Sequence, residues 1–256
     1  MTILDKILAE KEKEVAALKE NYQPGAKVTG KKLSLYESFK HADKMSIIAE
    51  IKRASPSKGD IKTDVNPPEQ AIQYADYGAG AISVLTDQPF FKGSMEDLKA
   101  VREAVQVPLL NKDFIIDEIQ IDRAKDYGAN VILLIAAALP KERLEELYSY
   151  AVKAGLEVLL EVHNEEELSI ANDMDAKIIG INNRNLKTFE VDLAITERLA
   201  AQVKNPDALL ISESGIRTAE DVDRVRKAGA QGILVGETMM KSGNLKQTFD
   251  QLRIPV

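Results

Sequence analysis

The sequence predicts an α/β fold, a (β/α)8 TIM barrel with an additional N-terminal helix. Three observations in the chain of 256 residues support this prediction. Short runs rich in Ile, Val and Leu occur eight times, and most lack strict alternation, which is typical of parallel strands buried on both faces. Charged segments with helical periodicity lie between them. Eight strand–helix units of about 20 to 30 residues indicate a closed parallel barrel.

The third observation is a pattern at four helix-to-strand junctions. A helix end, a glycine, a short turn and a buried strand follow one another in DYGAGAISVL, DYGANVILL, KAGLEVLL and KAGAQGILV. The alternative is an open doubly wound sheet, which usually has fewer strands and a glycine-rich turn from the first strand into a helix. The glycines of residues 78–80 lead from a helix into a strand, so they do not favour a dinucleotide site.

The N-terminal segment has apolar residues at helical spacing, and acidic and basic residues mix on its polar side. The apolar residues are Ile3, Leu4, Ile7, Leu8, Val15 and Leu18. This pattern favours a cover packed on the barrel over a membrane anchor. Charges interrupt any signal-peptide core, and no stretch reaches about 18 consecutive apolar residues. We expect residues 1–256 to form one barrel domain, with 1–45 as an N-terminal helical extension.

The remaining elements follow in chain order. Strands are predicted at 46–52, 81–86, 108–114, 130–136, 157–162, 176–182, 208–214 and 232–237. Helices are predicted at 67–77, 94–105, 117–127, 141–154, 164–174, 191–203, 218–228 and 244–252. Asn164 before a Glu-rich turn and Thr218 before AEDV are helix start signals. The loop 53–66 is long for a strand-to-helix connection, and such loops are often functional.

The composition is ordinary for a globular protein, with 45% hydrophobic and 29% charged residues. The absence of cysteine excludes a disulfide framework, a thiolate metal site and a cysteine nucleophile. A net charge of −7 without a basic cluster does not predict a nucleic-acid surface. His41 and His163 lack metal-ligand spacing. His163 follows a strand end, where a side chain can line the mouth of the barrel, but we interpret it as a solvated loop residue. We expect no metal, cofactor, nucleic-acid or membrane partner, and a monomer in the cytoplasm.

Charged side chains collect at the carboxyl ends of the predicted strands, where barrel active sites are built. Glu50 and Lys52 end the first strand and, two residues apart, share one face. Lys112 ends the third strand and Glu161 the fifth, while Glu213 is among the polar residues that end the seventh. Mixed charges in a partly dehydrated pocket can perform acid–base chemistry. Ion pairs that merely close the barrel are the alternative, but four charged groups at strand ends together, Glu50, Lys52, Lys112 and Glu161, favour catalysis.

The last two strands predict a phosphate site. Ser214 and Gly215 lead from the seventh strand toward a helix that starts near Thr218, and Gly236 leads from the eighth strand into a short helical segment. Glycine turns of this kind expose backbone N–H groups to an anion, and the loops after strands seven and eight often bind phosphate in barrels. Ordinary turns that need glycine for steric reasons are the alternative.

At these residues the sequence resembles the indole-3-glycerol phosphate synthase family of tryptophan biosynthesis. Five motifs occur in the family's order: AEIKRASPSKG (49–59), LLNKDF (109–114), LLEVHN (159–164), IGINNRNL (179–186) and SESGI (212–216). The resemblance covers nearly the whole chain, including the N-terminal helix.

The resemblance implies a carbon–carbon lyase without cofactor. Its substrate would be 1-(2-carboxyphenylamino)-1-deoxyribulose 5-phosphate, and its products indole-3-glycerol phosphate, carbon dioxide and water. By position, Lys112 would be the general acid that protonates the ribulose carbonyl oxygen, and Glu161 an essential acid–base carboxylate. Lys52 and Glu50 match a pair with roles in the condensation or the dehydration. Asn182 resembles a hydrogen-bond donor to a sugar hydroxyl.

Further substrate contacts follow from the resemblance and the strand ends. Ser55, Ser214, Gly215, Gly236 and Glu237 match phosphate and sugar contacts, and Arg184 matches a neighbour of the substrate. Leu85, Phe91, Phe114, Leu133 and Leu186 lie at or after strand ends and are candidates for an apolar slot that takes the anthranilate ring. Some family members have serine in place of Glu237. Because a carboxylate repels phosphate, we expect only the Glu237 backbone N–H to face the anion.

Three other interpretations stay open at this point. Phosphoribosylanthranilate isomerase resembles this family in fold and substrate, but it typically uses a cysteine base, and this chain has no cysteine. A Schiff-base aldolase would use Lys52 or Lys112 as an amine nucleophile. A non-catalytic binding barrel would need neither lysine for any activity.

Overall fold

A computed structural model of the chain, which describes residues 2–24 and 33–256, contains a closed barrel of eight parallel strands. The barrel strands are Ser46–Ile51, Ala81–Leu85, Leu109–Lys112, Val131–Ile135, Glu157–Val162, Ile178–Asn182, Leu209–Glu213 and Gly232–Val235. Each strand pairs in parallel with its neighbours, and the first closes on the eighth from Ser46↔Gly232 to Ala49↔Val235. The predicted (β/α)8 TIM barrel is confirmed.

A helix follows each strand, as predicted. These helices are Pro67–Asp76, Met95–Ala104, Glu118–Asp126, Lys141–Lys153, Glu165–Asp173, Ala194–Ala200, Ala219–Lys227 and Leu245–Leu252. Asn164 Oδ1 accepts the Glu167 backbone N–H, and Thr218 forms a capping box with Asp221, so both predicted start signals are present. Gln88–Phe91, Glu237–Met240 and the 3-10 turn Ala136–Ala138 are additional short elements.

The barrel interior follows from the two-residue alternation of the strands. One buried apolar cluster contains the inward-facing side chains Ile48, Leu110, Leu133, Leu159, Ile178, Leu209, Ile211 and Leu234. The alternate strand residues belong to a second, larger cluster shared with the surrounding helices. Residues two apart on a strand face the same side, so the residue two positions after an inward apolar residue also faces inward and lies nearer the carboxyl end of the barrel. Glu50 follows Ile48 and Glu161 follows Leu159 in this way, so these two charges lie at the open mouth of the barrel.

Two helices precede the barrel, Ile3–Asn21 and Leu35–Lys40. The second closes the amino end of the barrel, since Leu35 and Phe39 belong to the interior apolar cluster. Glu157, at the start of the fifth strand, accepts hydrogen bonds from the Ser34 hydroxyl and the Leu35 backbone N–H. Of the predicted extension 1–45, Met1 and residues 25–32 lie outside the described residues. No described helix is long and apolar enough to cross a membrane.

The N-terminal helix Ile3–Asn21 docks through a buried cation as well as through apolar residues. Lys11 Nζ lies 2.7 Å from Asp113 Oδ1, 3.0 Å from Asp87 Oδ2 and 2.6 Å from Glu14 Oε2. Burial opposes the charge of Lys11, but the three carboxylates outweigh burial and raise the Lys11 pKa. Asp113 directly follows Lys112, so this ion cluster joins the N-terminal helix to the end of the third strand.

Candidate active site

A cavity of about 500 Å³ opens at the carboxyl ends of the barrel strands. Every residue that the sequence predicts for the site lines it: Glu50, Lys52, Ser55, Leu85, Phe91, Lys112, Phe114, Leu133, Glu161, Asn182, Arg184, Leu186, Ser214, Gly215, Gly236 and Glu237. A cavity of this size takes one small-molecule ligand. The two predicted lysines and two predicted carboxylates therefore share one rim, as the acid–base cluster requires.

Lys112 lies between two buried carboxylates. Its Nζ donates to Glu161 Oε2 at 3.1 Å and to Glu213 Oε2 at 2.9 Å. Burial disfavours the charge, but Glu213 and Glu161 outweigh burial and raise the Lys112 pKa. Lys112 is therefore an ammonium, whereas a Schiff-base nucleophile must be a neutral amine. Of its three donor hydrogens, one has no partner among the described residues.

Both oxygens of Glu161 are occupied. Oε2 accepts from Lys112, while Oε1 accepts from Asn182 Nδ2 at 3.2 Å and lies 3.1 Å from His163 Nε2. Burial alone raises the Glu161 pKa, but Lys112 and His163 outweigh burial and hold this pKa well below its ordinary value. Asn182 is oriented in turn, because its Oδ1 accepts the Arg184 backbone N–H at 3.0 Å. Glu161 is thus a fixed, ionised carboxylate.

The prediction that His163 is a solvated loop residue is wrong. Its side chain is only 9% exposed, and its Nδ1 lies 2.9 Å from Glu167 Oε2. The Glu167 carboxylate also accepts the His163 backbone N–H at 2.8 Å, so the first turn of the next helix turns the ring toward Glu161. The sequence offers a weak signal for this contact, since His163 and Glu167 are four residues apart across a helix start.

Glu213 is a member of the site that sequence analysis did not assign. Its Oε1 is buried and has no hydrogen-bond partner among the described residues. Burial raises the pKa of Glu213 to about 7, against the opposing charge of Lys112 and with the support of the negative charge on Glu161. Gly180 makes room for this carboxylate, because a Cβ at position 180 would overlap Glu213 Oε1. A glycine inside the buried run IIGIN is therefore a sequence signal of this close approach.

The first strand contributes a second ion pair to the same cavity. Lys52 Nζ donates to Glu50 Oε1 at 2.6 Å, and Ser83 Oγ lies 3.5 Å from Glu50 Oε2. Glu50 is almost fully buried and Lys52 is partly exposed at the mouth. A Cβ at Gly236 would lie 2.5 Å from Glu50 Oε1, so this glycine also has a steric role beside its predicted place at the phosphate.

The turns after the seventh and eighth strands have unusual backbones. Ser214 has a φ of 67° and Gly215 a φ of 89°, so a non-glycine residue stands in the left-handed region. Such strain is concentrated at functional sites, where the surrounding structure holds it. Asn183 Nδ2 holds this turn by donating to the backbone oxygens of Glu213 and Ser214. At the eighth strand, the first N–H groups of the helix Glu237–Met240 have no partner within the helix.

The Glu237 carboxylate has cationic partners of its own. It accepts from Lys241 Nζ at 2.7 Å, one turn along the same helix, and Lys58 Nζ lies 4.0 Å away. The hydrogen bond from Lys241 lowers the Glu237 pKa, with smaller contributions from Lys58 and Lys52. The charge of Glu237 is therefore balanced by lysines at the cavity mouth.

The predicted apolar slot has a further wall. The rings of Phe91 and Phe114 pack 5.9 Å apart between centroids, at 35° between their planes. Ile3, Leu4 and Ile7 of the N-terminal helix also line the cavity, although sequence analysis treats this helix only as a cover. No pattern in the sequence separates residues that face a cavity from residues that face the core.

A metal site would need several histidine or acidic side chains close together. Among the described residues there is no group of three or more histidine or acidic side chains placed so that it could hold a metal ion.

Comparisons with known proteins agree with the motifs. A family model described as indole-3-glycerol phosphate synthase matches residues 4–252. The chain is 54% identical over 255 residues to the indole-3-glycerol phosphate synthase of Bacillus cereus and 56% identical over 256 residues to that of Oceanobacillus iheyensis. Both alignments cover 100% of this chain, and they cover 99% and 98% of the respective relatives.

More distant solved structures share the fold. A thiamine phosphate pyrophosphorylase from Pyrococcus furiosus has a TM-score of 0.61 at 17% identity, covering 86% of this chain and 96% of that chain. An N-acetylmannosamine-6-phosphate 2-epimerase from Clostridium perfringens has a TM-score of 0.62 at 15% identity, covering 82% of this chain and 92% of that chain. The family match spans almost the whole chain and the two relatives align over all of it, so the chain belongs to the indole-3-glycerol phosphate synthase family.

Proposed function

We propose that this cavity converts 1-(2-carboxyphenylamino)-1-deoxyribulose 5-phosphate into indole-3-glycerol phosphate, carbon dioxide and water. The protein is then a carboxy-lyase of tryptophan biosynthesis, as its family membership states. The observation that carries the proposal is the Lys112 ammonium held between Glu161 and Glu213 inside the cavity. One wall of this cavity is apolar, and another is formed by the glycine turns after strands seven and eight.

Ring closure is the step for which Lys112 is suited. A bond forms between the carboxyl-bearing ring carbon and the ribulose carbonyl carbon, and the carbonyl oxygen takes a proton from the Lys112 ammonium. A positioned ammonium stabilises the negative charge that develops on this oxygen. The aromatic ring becomes positively charged as its carbon attacks, and the ionised Glu161 stabilises that charge. Loss of carbon dioxide then restores the aromatic ring.

Dehydration needs an acid at the departing hydroxyl and a base at the neighbouring carbon. The Lys52–Glu50 pair offers an ammonium and a carboxylate 2.6 Å apart, and Glu161 is a second available base. Glu213, with a pKa raised to about 7, can hold or release a proton near neutral pH and so return one to Lys112. Three carboxylates with different surroundings thus give the site both protonation states at once.

The remaining residues are proposed to bind the substrate. Phe91 and Phe114, with Leu85, Leu133 and Leu186, take the anthranilate ring, and the N-terminal helix closes this slot. Asn182 and Arg184 contact the sugar and the neighbouring substrate groups. Ser55, Ser214, Gly215, Gly236 and Glu237 surround the phosphate. The ion pair of Glu237 with Lys241 supports a phosphate here, because it offsets a charge that would otherwise repel the anion.

The domain organisation, the oligomeric state and the cellular location of the protein belong to the same proposal. Residues 1–256 form one barrel domain with 1–45 as its N-terminal extension, and the protein acts as a monomer in the cytoplasm, without cofactor or nucleic acid. The continuous core that the barrel strands share with the surrounding helices supports a single domain.

Purified protein mixed with the carboxyphenylamino deoxyribulose phosphate is expected to produce indole fluorescence. Glu161→Gln, which keeps the side-chain shape and removes the charge, should lower the rate by orders of magnitude while the fold survives. A wild-type protein without product, or a variant with normal turnover, contradicts the proposal. Borohydride added with an aldehyde substrate should trap no lysine adduct, and a trapped adduct at Lys52 or Lys112 would favour the aldolase instead.

A further inference from the structure

Two carboxylates share the Lys112 ammonium, and their other charged neighbours differ: His163 lies beside Glu161, whereas the negative charge of Glu50 helps to raise the pKa of Glu213. Glu161 and Glu213 contact Lys112 Nζ at 3.1 Å and 2.9 Å, and their side chains are 5% and 2% exposed. Burial and the shared cation are therefore nearly the same for both. Glu161 has in addition the polar contacts with His163 and Asn182, whereas Glu213 Oε1 has no hydrogen-bond partner among the described residues.

His163 lies outside the cavity, behind Glu161. Its ring is held between Glu161 on the fifth strand and Glu167 on the following helix, at 3.1 Å and 2.9 Å. Lys112 stands on the far side of Glu161, so charges of alternating sign run from Lys112 through Glu161 and His163 to Glu167. The 3.1 Å contact is an ion pair without the alignment of a good hydrogen bond, and the attraction of full charges depends on distance more than on angle.

We propose that His163 is a positioning residue whose imidazolium selects Glu161, rather than Glu213, as the carboxylate of the Lys112 cluster that stays ionised. The catalytic part of this inference rests on the proposed function. Without the second cation, Glu161 and Glu213 become two like carboxylates on one ammonium, and a proton can reside on either. Acid–base catalysis needs two carboxylates with different pKa values, one that stays ionised and one that carries a proton. Without His163 the site loses this difference.

The protonation of His163 agrees with this role. Burial lowers the His163 pKa, but the side-chain contacts with Glu161 and Glu167 outweigh burial and raise the pKa to about 10. The imidazolium therefore persists at neutral pH, where both ring nitrogens are donors. An unperturbed histidine, with a pKa near about 6.5, would be mostly neutral at that pH.

Because the chain has only two histidines, this protonation can be read directly. A proton NMR titration follows the two imidazole signals, and His41→Gln, at a side chain that is 75% exposed, shows which of the two belongs to His163. The His163 signal is expected to stay in its protonated position well above the ordinary midpoint of about 6.5. A His163 ring that loses its proton at or below that midpoint overturns the proposal.

The activity test compares His163→Gln, which keeps a hydrogen-bond donor without a charge, with His41→Gln as the matched control. Changes to residues that orient metal ligands from behind typically cost about 10- to 100-fold, and we expect a loss of the same order in kcat for His163→Gln. KM should change little because His163 does not line the cavity. The acid limb of the kcat–pH profile should move to higher pH, since Glu161 would bind its proton more readily, and His41→Gln should move neither kcat nor the limb.

A merely structural histidine would lower the amount of active enzyme and leave the pH profile in place, and that result overturns the proposal. Should His163→Gln fail to fold, Glu167→Gln keeps the ring and weakens its charge, so it should move the acid limb the same way by a smaller amount. An unmoved limb in Glu167→Gln counts against the proposal equally. If wild-type protein forms no indole product, the proposed function fails, whereas the NMR titration still decides whether His163 is the charged partner of Glu161.

Discussion

Two lysines held by carboxylates show how one fold uses ion pairs for two purposes. Lys11, on the N-terminal helix, has three carboxylates within 3.0 Å of its Nζ. Lys112, at the end of the third strand, has two, and each cluster contains one buried carboxylate oxygen without a hydrogen-bond partner among the described residues, Asp87 Oδ2 in the first and Glu213 Oε1 in the second. The cluster with three carboxylates, here called the completed cluster, holds two elements together, while the cluster with two, the incomplete one, faces a cavity that a substrate can enter.

The pleat of the third strand separates the two clusters. Lys112 follows the inward-facing Leu110 by two residues, and the next residue, Asp113, turns outward to Lys11. Asp113 also accepts from the Thr86 hydroxyl and the Phe114 backbone N–H. Burial alone would raise the Asp113 pKa, but Lys11 and these two hydrogen bonds outweigh burial and lower this pKa. Adjacent residues therefore belong to the docking cluster and to the proposed catalytic cluster without sharing a partner.

The largest expected effect tests the incomplete cluster. Lys112→Met keeps the length of the side chain and removes the proton donor, so kcat should fall by about 10³-fold or more, the scale of a lost general acid together with its electrostatic stabilisation. The free energy of unfolding should be affected less than kcat, because Glu213 can take a proton when the Lys112 cation is gone. Steady-state indole fluorescence and urea unfolding measure the two quantities. A kcat near that of the wild type would remove Lys112 from the chemistry.

The complementary change tests the completed cluster. Lys11→Met leaves Asp87 and Asp113 as buried charges without their cation, which should lower the free energy of unfolding by about 3 to 5 kcal/mol. Urea unfolding measures this loss. The matched control is Lys13→Met on the same helix, where a side chain 73% exposed pairs with Glu10, and it should leave the free energy of unfolding nearly unchanged. Equal losses in the two variants would show that the Lys11 cluster does not hold the helix.

Sequence reasoning reaches the two clusters unequally. Glu50, Lys112 and Glu161 were predictable because strand alternation puts each of them two positions beyond an inward apolar residue, at the mouth of the barrel. The burial of Lys11 was not predictable, since helical spacing shows only apolar faces and its partner Asp113 lies more than a hundred residues away. The same limit applies to His163, whose orientation depends on the turn between a strand and a helix.

Glu213 shows a different limit of sequence reasoning. Its position at a strand end was visible, and Gly180 in the neighbouring strand signals a close approach. Its raised pKa was not visible in the sequence, because that pKa is a balance between burial and the charges of Lys112 and Glu161. These two residues and Glu213 lie far apart in the chain and meet only in the folded barrel. Location follows from local alternation, whereas proton affinity follows from the assembled cavity.

A smaller effect is expected from Glu213→Gln, which preserves shape and removes the titrating group. We expect kcat to fall by about 10- to 100-fold, within the range of a lost acid–base group, and the inflection of the kcat–pH profile near the pKa of about 7 to disappear. Asp223→Gln, at an exposed carboxylate away from the cavity, is the control and should leave the profile as it is. An inflection that survives in Glu213→Gln must belong to another group.

The last expected effect, which is spread over several pH units, is the pH dependence of stability that His163 contributes. The folded pKa of about 10 exceeds the unfolded value of about 6.5, so the folded protein binds the proton more tightly. This contribution is fully present below about pH 6.5 and is lost as pH rises through about 10. Urea unfolding of the wild type and His163→Gln should therefore show a stability difference that narrows between these limits. A difference that stays constant across this window would mean that the ring packs between Glu161 and Glu167 without its charge.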